Sequence, residues 1–148
     1  GKIIKKAGFQ QEMVYGNGLI SVEWYASVRE VVLGLEKNIY AGTDYRLWMV
    51  ACGVAFHLVA SLWPYLAIFI TSGVAQWLYA ATVMVITIIA ADNARLHGLK
   101  PWYALGFPLT IGLFVFIIIR SVYCNLIQGG IYWRGTFYTL EKLRKNKI

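Results

Sequence analysis

Residues 47–91 read LWMVACGVAFHLVASLWPYLAIFITSGVAQWLYAATVMVITIIAA, 45 consecutive positions without Asp, Glu, Lys or Arg. A helix or strand of a water-soluble domain keeps a polar face toward solvent, so an uncharged run of this length belongs in a bilayer. Two helices fit inside it. Residues 47–70 and 74–91 each approach the roughly 20 apolar residues that a hydrocarbon core requires, and Thr71, Ser72 and Gly73 supply the turn between them. A third uncharged segment begins at Pro101 and predicts a helix over 103–127. The fold class that follows is mainly α and polytopic, with about three apolar helices.

Pro64 has no N–H for its own helix, so it should kink or end the first span. A break there would alternatively give a span ending at Trp63 and a long second one over 65–91. His57 is the only ionisable group in the run apart from Cys52. With no acid nearby in sequence it reads as a neutral, hydrogen-bonded helix contact in preference to a proton relay. Cys52 and Cys124 both fall in apolar segments without metal-ligand spacing and read as packing residues.

Composition supports the same class. Hydrophobic residues make up 59% of the chain and charged residues 14%, against roughly 25% charged in soluble domains. The net charge of +7 is uneven: residues 1–46 carry six bases and five acids, 92–100 two and one, and 120–148 six and one. A basic tail beside a membrane points to a cytoplasmic face against anionic lipid, and no nucleic-acid partner is expected. Six Trp and ten Tyr suit interfacial belts.

The chain starts at Gly1, without Met, inside what reads as a basic helix over residues 1–7 that Gly8 stops. Residues 13–15 and 19–22 read as short strands about a Gly16-Asn17-Gly18 turn. Residues 1–22 therefore read as the remnant of an α/β domain. About 25 residues cannot bury a core of their own, so a preceding domain is expected. From Trp24 the period changes. Trp24, Val28, Val31, Val32, Leu35 and Ile39 share one helical stripe, with Ser27, Glu30, Glu36, Lys37 and Asn38 mostly on the other side. This is either an amphipathic helix lying in the interface plane or a helix packed on its own domain. Within 23–46, residues 40–46 turn the chain into the membrane.

Residues 92–100, DNARLHGLK, read as a polar loop in contact with headgroups. Asp92 and His97 lack a third strong ligand, so no metal site is expected. The tail, 128–148, holds the sharpest signal. After Gly129-Gly130, the residues Ile131, Trp133 and Gly135 alternate with Tyr132, Arg134 and Thr136, which predicts a short extended segment before a basic helix over 140–147. Trp133 and Arg134 fit an interfacial anchor, or an aromatic ring and a guanidinium against a sugar or lipid and a phosphate.

The order GKIIKKAGF (1–9), WYASVREVVLGLEKN (24–38), paired apolar helices and GGIYWRGTFY (129–138) resembles the C-terminal part of a membrane-bound family 2 glycosyltransferase, near the ceramide and carotenoid glucosyltransferases. The resemblance spans nearly the whole chain, and Trp133-Arg134-Gly135 with Tyr138 is its most specific piece. It implies that residues 1–22 end a GT-A catalytic domain, and that a sugar passes with inversion from a nucleotide-sugar donor to a lipid acceptor. The expected location is the plasma (inner) membrane, with the N-terminal side cytoplasmic. An Asp-x-Asp motif holding Mg²⁺ or Mn²⁺, and a carboxylate base, would precede Gly1. No catalytic residue and no cofactor site is therefore assigned to this chain, which should be inactive alone. Trp133, Arg134 and Tyr138 are the implied substrate-binding residues. Arg29 has no Trp after it, unlike the Gln-x-x-Arg-Trp signature of polymer-elongating relatives, which favours Arg134 for contact with the leaving diphosphate.

Three crossings would put residues 1–46 and the tail on opposite sides, whereas charge and resemblance both want them together. One apolar segment, the one with Pro64 or the one with Pro108 and Gly112, is then expected to be re-entrant or interfacial. Two other classes remain. A non-enzymatic membrane anchor or assembly subunit would tolerate Phe and Lys at Trp133 and Arg134, and a transporter would set His57 opposite Gln76.

Overall fold

The computed structural model describes residues 2–12, 14, 16, 19, 24–133 and 135–145, with the side chains of Lys2, Ile3, Lys37 and Trp133 outside that set. Seven α-helices appear among them: α1 (Lys2–Lys6), α2 (Val28–Gly42), α3 (Leu47–Phe56), α4 (Trp63–Ile70), α5 (Gly73–Leu96), α6 (Phe107–Gln128) and α7 (Leu140–Lys145). A π-helical stretch, His57–Leu62, joins α3 to α4, and a 3₁₀ stretch, Pro101–Gly106, leads into α6. Two short strands, β1 (Gly130–Trp133) and β2 (Thr136–Thr139), complete the described chain.

Three helices are long and apolar enough to cross a membrane: Leu47–Ile70, Gly73–Leu96 and Pro101–Gln128. Their side chains are turned outward. Trp77 on α5 is 75% exposed and Phe69 on α4 is 85% exposed, and such surfaces are costly in water and natural in hydrocarbon. Among the described residues the fold is thus mainly helical with three apolar helices, as the composition requires, and the sheet is one two-stranded hairpin.

Several boundaries depart from the sequence expectation. The second span does not stop at residue 91: α5 continues through Asp92, Asn93 and Arg95 to Leu96, and the polar loop shrinks to 97–100. Its end is set by Gly98, whose φ of +70° lets the amides of His97, Gly98 and Leu99 close on the carbonyls of Asn93, Ala94 and Arg95. Pro64 neither ends nor splits the first span. It stands in the first turn of α4, where a missing N–H costs nothing, and the π-helical turn before it absorbs the misfit. The turn at Thr71-Ser72-Gly73 is present, with Gly73 at φ +64°. The third span begins in the 3₁₀ stretch at Pro101 and runs to Gln128.

At the N-terminal side, Gly8 (φ +81°) stops α1 as expected. The hairpin expected over 13–22 lies mostly outside the described residues, although Leu19 N–H donates to the Gly16 carbonyl at 2.8 Å. Helix α2 starts at Val28, four residues later than the stripe suggested. Ser27 caps it, its hydroxyl accepting from Glu30 N–H at 3.2 Å, while the Glu30 carboxylate accepts from Ala26 N–H at 3.0 Å. Trp24 remains outside the helix, stacked on Tyr25.

Helix α2 packs against α6. Val31, Val32, Leu35 and Ile39 are half-buried, as the stripe predicts, but Glu36, expected on the polar side, is drawn into the same contact. The core lies where these helices meet the first span. Tyr40, Tyr45, Val50 and Ile118 are buried together, and Phe114, Val122, Leu140 and Leu143 pack around them. The end of α2, the start of α3, the middle of α6 and the tail helix α7 thus share one cluster. The chain reaches it through Asp44 and Tyr45, both in the left-handed region at φ +50° and +57°. Neither is a glycine, so the turn is strained, and burial of the Tyr45 ring edge-on to Tyr40 offsets that strain.

Candidate functional site

The tail motif is built from two glycines outward. Gly129 takes the left-handed position (φ +66°) that ends α6, and its carbonyl accepts from Leu140 N–H at 2.8 Å, which ties the base of the hairpin to α7. Gly130 then lies so close to the Tyr138 carbonyl that a Cβ would collide with backbone. The single extended segment expected from the alternation is in fact an antiparallel hairpin. Its pairs are Gly130 with Thr139, Ile131 with Tyr138, Tyr132 with Phe137 and Trp133 with Thr136. Gly135, at φ +81°, lies in the turn between the strands.

The register puts positions 133 and 138 on one face of the ladder as diagonal neighbours, and Tyr138 is half-buried there. Tyr132 and Phe137 share the opposite face with ring centroids 4.8 Å apart. Arg134 lies outside the described residues. Two of the three residues singled out by sequence, Trp133 and Tyr138, are therefore brought onto one hairpin.

A polar cluster that sequence reading missed lies between α2 and α6. The Arg120 guanidinium meets the Glu36 carboxylate at 2.7 Å, with the Glu36 side chain 17% exposed and that of Arg120 40% exposed. One residue on, the Ser121 hydroxyl accepts from Tyr40 N–H at 3.3 Å and donates to the Glu36 carbonyl. It therefore spans one i, i+4 pair of the α2 backbone. Asn125, a turn further, is buried and donates to the Ser121 carbonyl at 2.7 Å. Cys124 lies beside Glu36. A signal was available: an arginine at the end of an apolar helix needs an acid as partner, and α2 carries two, Glu30 and Glu36. The separation of 84 residues hid it.

The other singled-out residues stay apart. His57 meets the Phe114 ring edge-on at 5.4 Å, and its Nδ1 has no hydrogen-bond partner, so it makes an aromatic contact where a hydrogen-bonded one was expected. Gln76 donates to the Ile68 carbonyl at 3.0 Å, across the turn between α4 and α5, and the juxtaposition with His57 that a transporter requires does not form. Cys52 is exposed on the apolar surface, not packed inside as expected, while Cys124 is half-buried. Outside the spans, burial pushes the Tyr45 phenol above its ordinary pKa.

Among the described residues no group of three His, Cys, Asp or Glu could hold a metal ion. The site therefore offers aromatic faces and a hairpin loop with an arginine in its sequence, set on a packed junction. Such an arrangement can bind and orient. Comparison of the chain with protein-family models, curated proteins and solved structures finds no match.

Proposed function

We propose that this chain is the C-terminal membrane region of an inverting family 2 glycosyltransferase that moves a sugar from a nucleotide-sugar donor to a lipid acceptor. The observation that carries this reading is the cluster joining Leu140 and Leu143 of the tail to Tyr40 and Tyr45 ahead of the first span. A bilayer cannot separate residues packed in one cluster. The tail motif and residues 1–46 then share a membrane face, and the number of complete crossings between residues 46 and 130 is even. That face is the one from which a GT-A domain ending at residue 22 would reach the hairpin; the basic tail supports a cytoplasmic side for it, and the plasma (inner) membrane is the location this reading expects.

In this reading the general base and the Mg²⁺ or Mn²⁺ that offsets diphosphate charge belong to the preceding domain. This chain supplies the acceptor platform. Arg134 pairs with the leaving diphosphate, bidentate in a way an ammonium cannot reproduce, and Trp133 and Tyr138 give aromatic faces to the acceptor headgroup. Gly130 and Gly135 shape the hairpin on which positions 133 and 138 stand.

The test uses the full-length protein in membranes, with transfer of labelled sugar to lipid as readout. Arg134→Lys should lower kcat by about tenfold to a hundredfold, the worth of one charge-assisted bidentate contact, without changing insertion. A non-enzymatic anchor would tolerate both Arg134→Lys and Trp133→Phe, and full retention of transfer in the two variants would sink the proposal.

A further inference from the structure

Helix α6 keeps two opposite sides down to its last turn. Ile117, Ser121 and Asn125 recur every fourth residue and are buried, on the side that meets α2 through Ser121. Ile119, Tyr123 and Ile127 recur at the same interval two positions on, about 200° around the helix, and all three are exposed. A row of large apolar side chains left open this far would be costly in water. It continues the outward surface of the third span, which itself runs to Gln128. On that side hydrocarbon reaches the last turn of α6, and the hairpin that starts at Gly130 stands where hydrocarbon gives way to headgroups.

The hairpin presents groups that suit this boundary. Ile131 and Tyr138 form a half-buried pair on its inner face, and Tyr132 and Phe137 form the next pair, exposed on the outer face. The tilted contact of those two rings makes one aromatic surface. Helix α7 leaves directly from the second strand, and its first residue is tied to the Gly129 carbonyl, so it begins at the same depth. Its Leu140 and Leu143 turn into the core cluster. Lys142, Arg144 and Lys145 are exposed, against the one acid of that helix, Glu141, which pairs with Lys145. Aromatic rings beside a net positive helix at the end of a span are complementary to an anionic lipid surface.

We propose that the outer face of the hairpin and the exposed bases of α7 are seated on anionic phospholipid headgroups, with Tyr132 and Phe137 immersed among them and Lys142 and Arg144 on their phosphates. The seat uses the face opposite to positions 133 and 138. It therefore does not rest on the glycosyltransferase reading.

The experiment follows the reaction of single thiols with a membrane-impermeant maleimide in the full-length protein, held in lipid nanodiscs that are open on both faces. Phe137→Cys reports the outer face, and Thr136→Cys, exposed on the other face, is the reference, both combined with Cys52→Ala and Cys124→Ala. The ratio of the two rates cancels any effect of lipid charge on the reagent. In discs of phosphatidylcholine with phosphatidylglycerol, position 137 should react more slowly than position 136, and the protection should weaken when phosphatidylglycerol is left out. Lys142→Gln with Arg144→Gln should speed the reaction at position 137 by about fivefold per charge removed. Should Phe137→Cys disturb the hairpin, Tyr132→Cys reports the same face. A reaction at position 137 as fast as at 136, or protection indifferent to phosphatidylglycerol or to the two bases, would overturn the proposal. So would protection that persists in neutral detergent micelles, since protein and not lipid would then cover the face.

Discussion

Helix α5 and the junction of α2, α6 and the tail are both made of mostly apolar sequence, yet they are stabilised in opposite ways. No residue in the most apolar window of α5 is fully buried, although one side of it rests half-buried on α4. Its hydroxyls turn inward on the helix, Thr82 to the Leu78 carbonyl and Thr87 to the Val83 carbonyl, and its large side chains Trp77, Leu78, Met84, Val85, Ile88 and Ile89 are exposed. The junction buries Tyr40, Ile117 and Ser121 completely and ties α2 to α6 by an ion pair and a hydroxyl bridge. Apolar helices do not gain from each other what they already have from lipid, so specific shape comes from small polar devices and close packing. In this molecule those devices sit where the tail motif is anchored.

The comparison breaks most sharply at Tyr40. Tyr40→Ala empties a fully buried site, and unfolding in mixed micelles should show a loss of about 3–5 kcal/mol, whereas Ile88→Ala on the outward face of α5 should stay within about 0.5 kcal/mol. Equal losses would mean that the Ile88 face of α5 is packed against protein after all. Next in size is Gly130→Ala, whose Cβ meets the Tyr138 backbone and cannot be accommodated by a rotamer change. It should destabilise the hairpin by about 1–3 kcal/mol, visible as faster proteolysis after residue 128 with the three spans unaffected.

The ion pair gives a smaller effect, because Arg120 is partly open to its surroundings and screening discounts it. Glu36→Gln should cost about 1–2 kcal/mol and leave Arg120 unpaired, and adding Arg120→Met should restore most of the loss. If the double variant is no better than the single, the pair is not the unit that joins α2 to α6. The smallest effect is that of pH on Tyr45. Its phenol pKa is raised in the folded state, so the contribution is complete below the unfolded value of about 10 and is lost as pH rises through the folded value. Tyr45→Phe should flatten the alkaline limb of the stability profile.

The three apolar helices were legible in the sequence because charge exclusion and length decide them without reference to partners. Gly8 and Gly73 were legible as a stop and a turn for the same reason, each being a local backbone requirement, whereas the left-handed stop at Gly129 was not read. What escaped was set at a distance or by a neighbour. Asp92 and Arg95 look like the start of a loop, but they suit the end of a helix that reaches the interface, and only the geometry at Gly98 fixes the boundary. Pro64 looks like a breaker, but a π-helical turn upstream lets the helix pass. Glu36 belongs to the polar side by periodicity and to the core by its partner Arg120. The alternation in the tail was read, but the second strand was not, since only the register reveals that Thr136–Thr139 returns along Gly130–Trp133. Of the candidate site, Trp133 and Tyr138 were visible as types, while their shared platform required the fold.

The cluster that joins residues 39–50 to Leu140 and Leu143 also orders the events of synthesis. A chain emerging from the ribosome inserts its first span long before the partners of Tyr40 and Tyr45 exist, since domains form N-terminal first. Glu36 waits for Arg120, and the cluster waits for α7. Residues 140–143 thus close a junction that residues 39–50 begin, and a nascent chain cut before Leu140 would carry all three apolar helices yet expose an unfinished junction to membrane quality control.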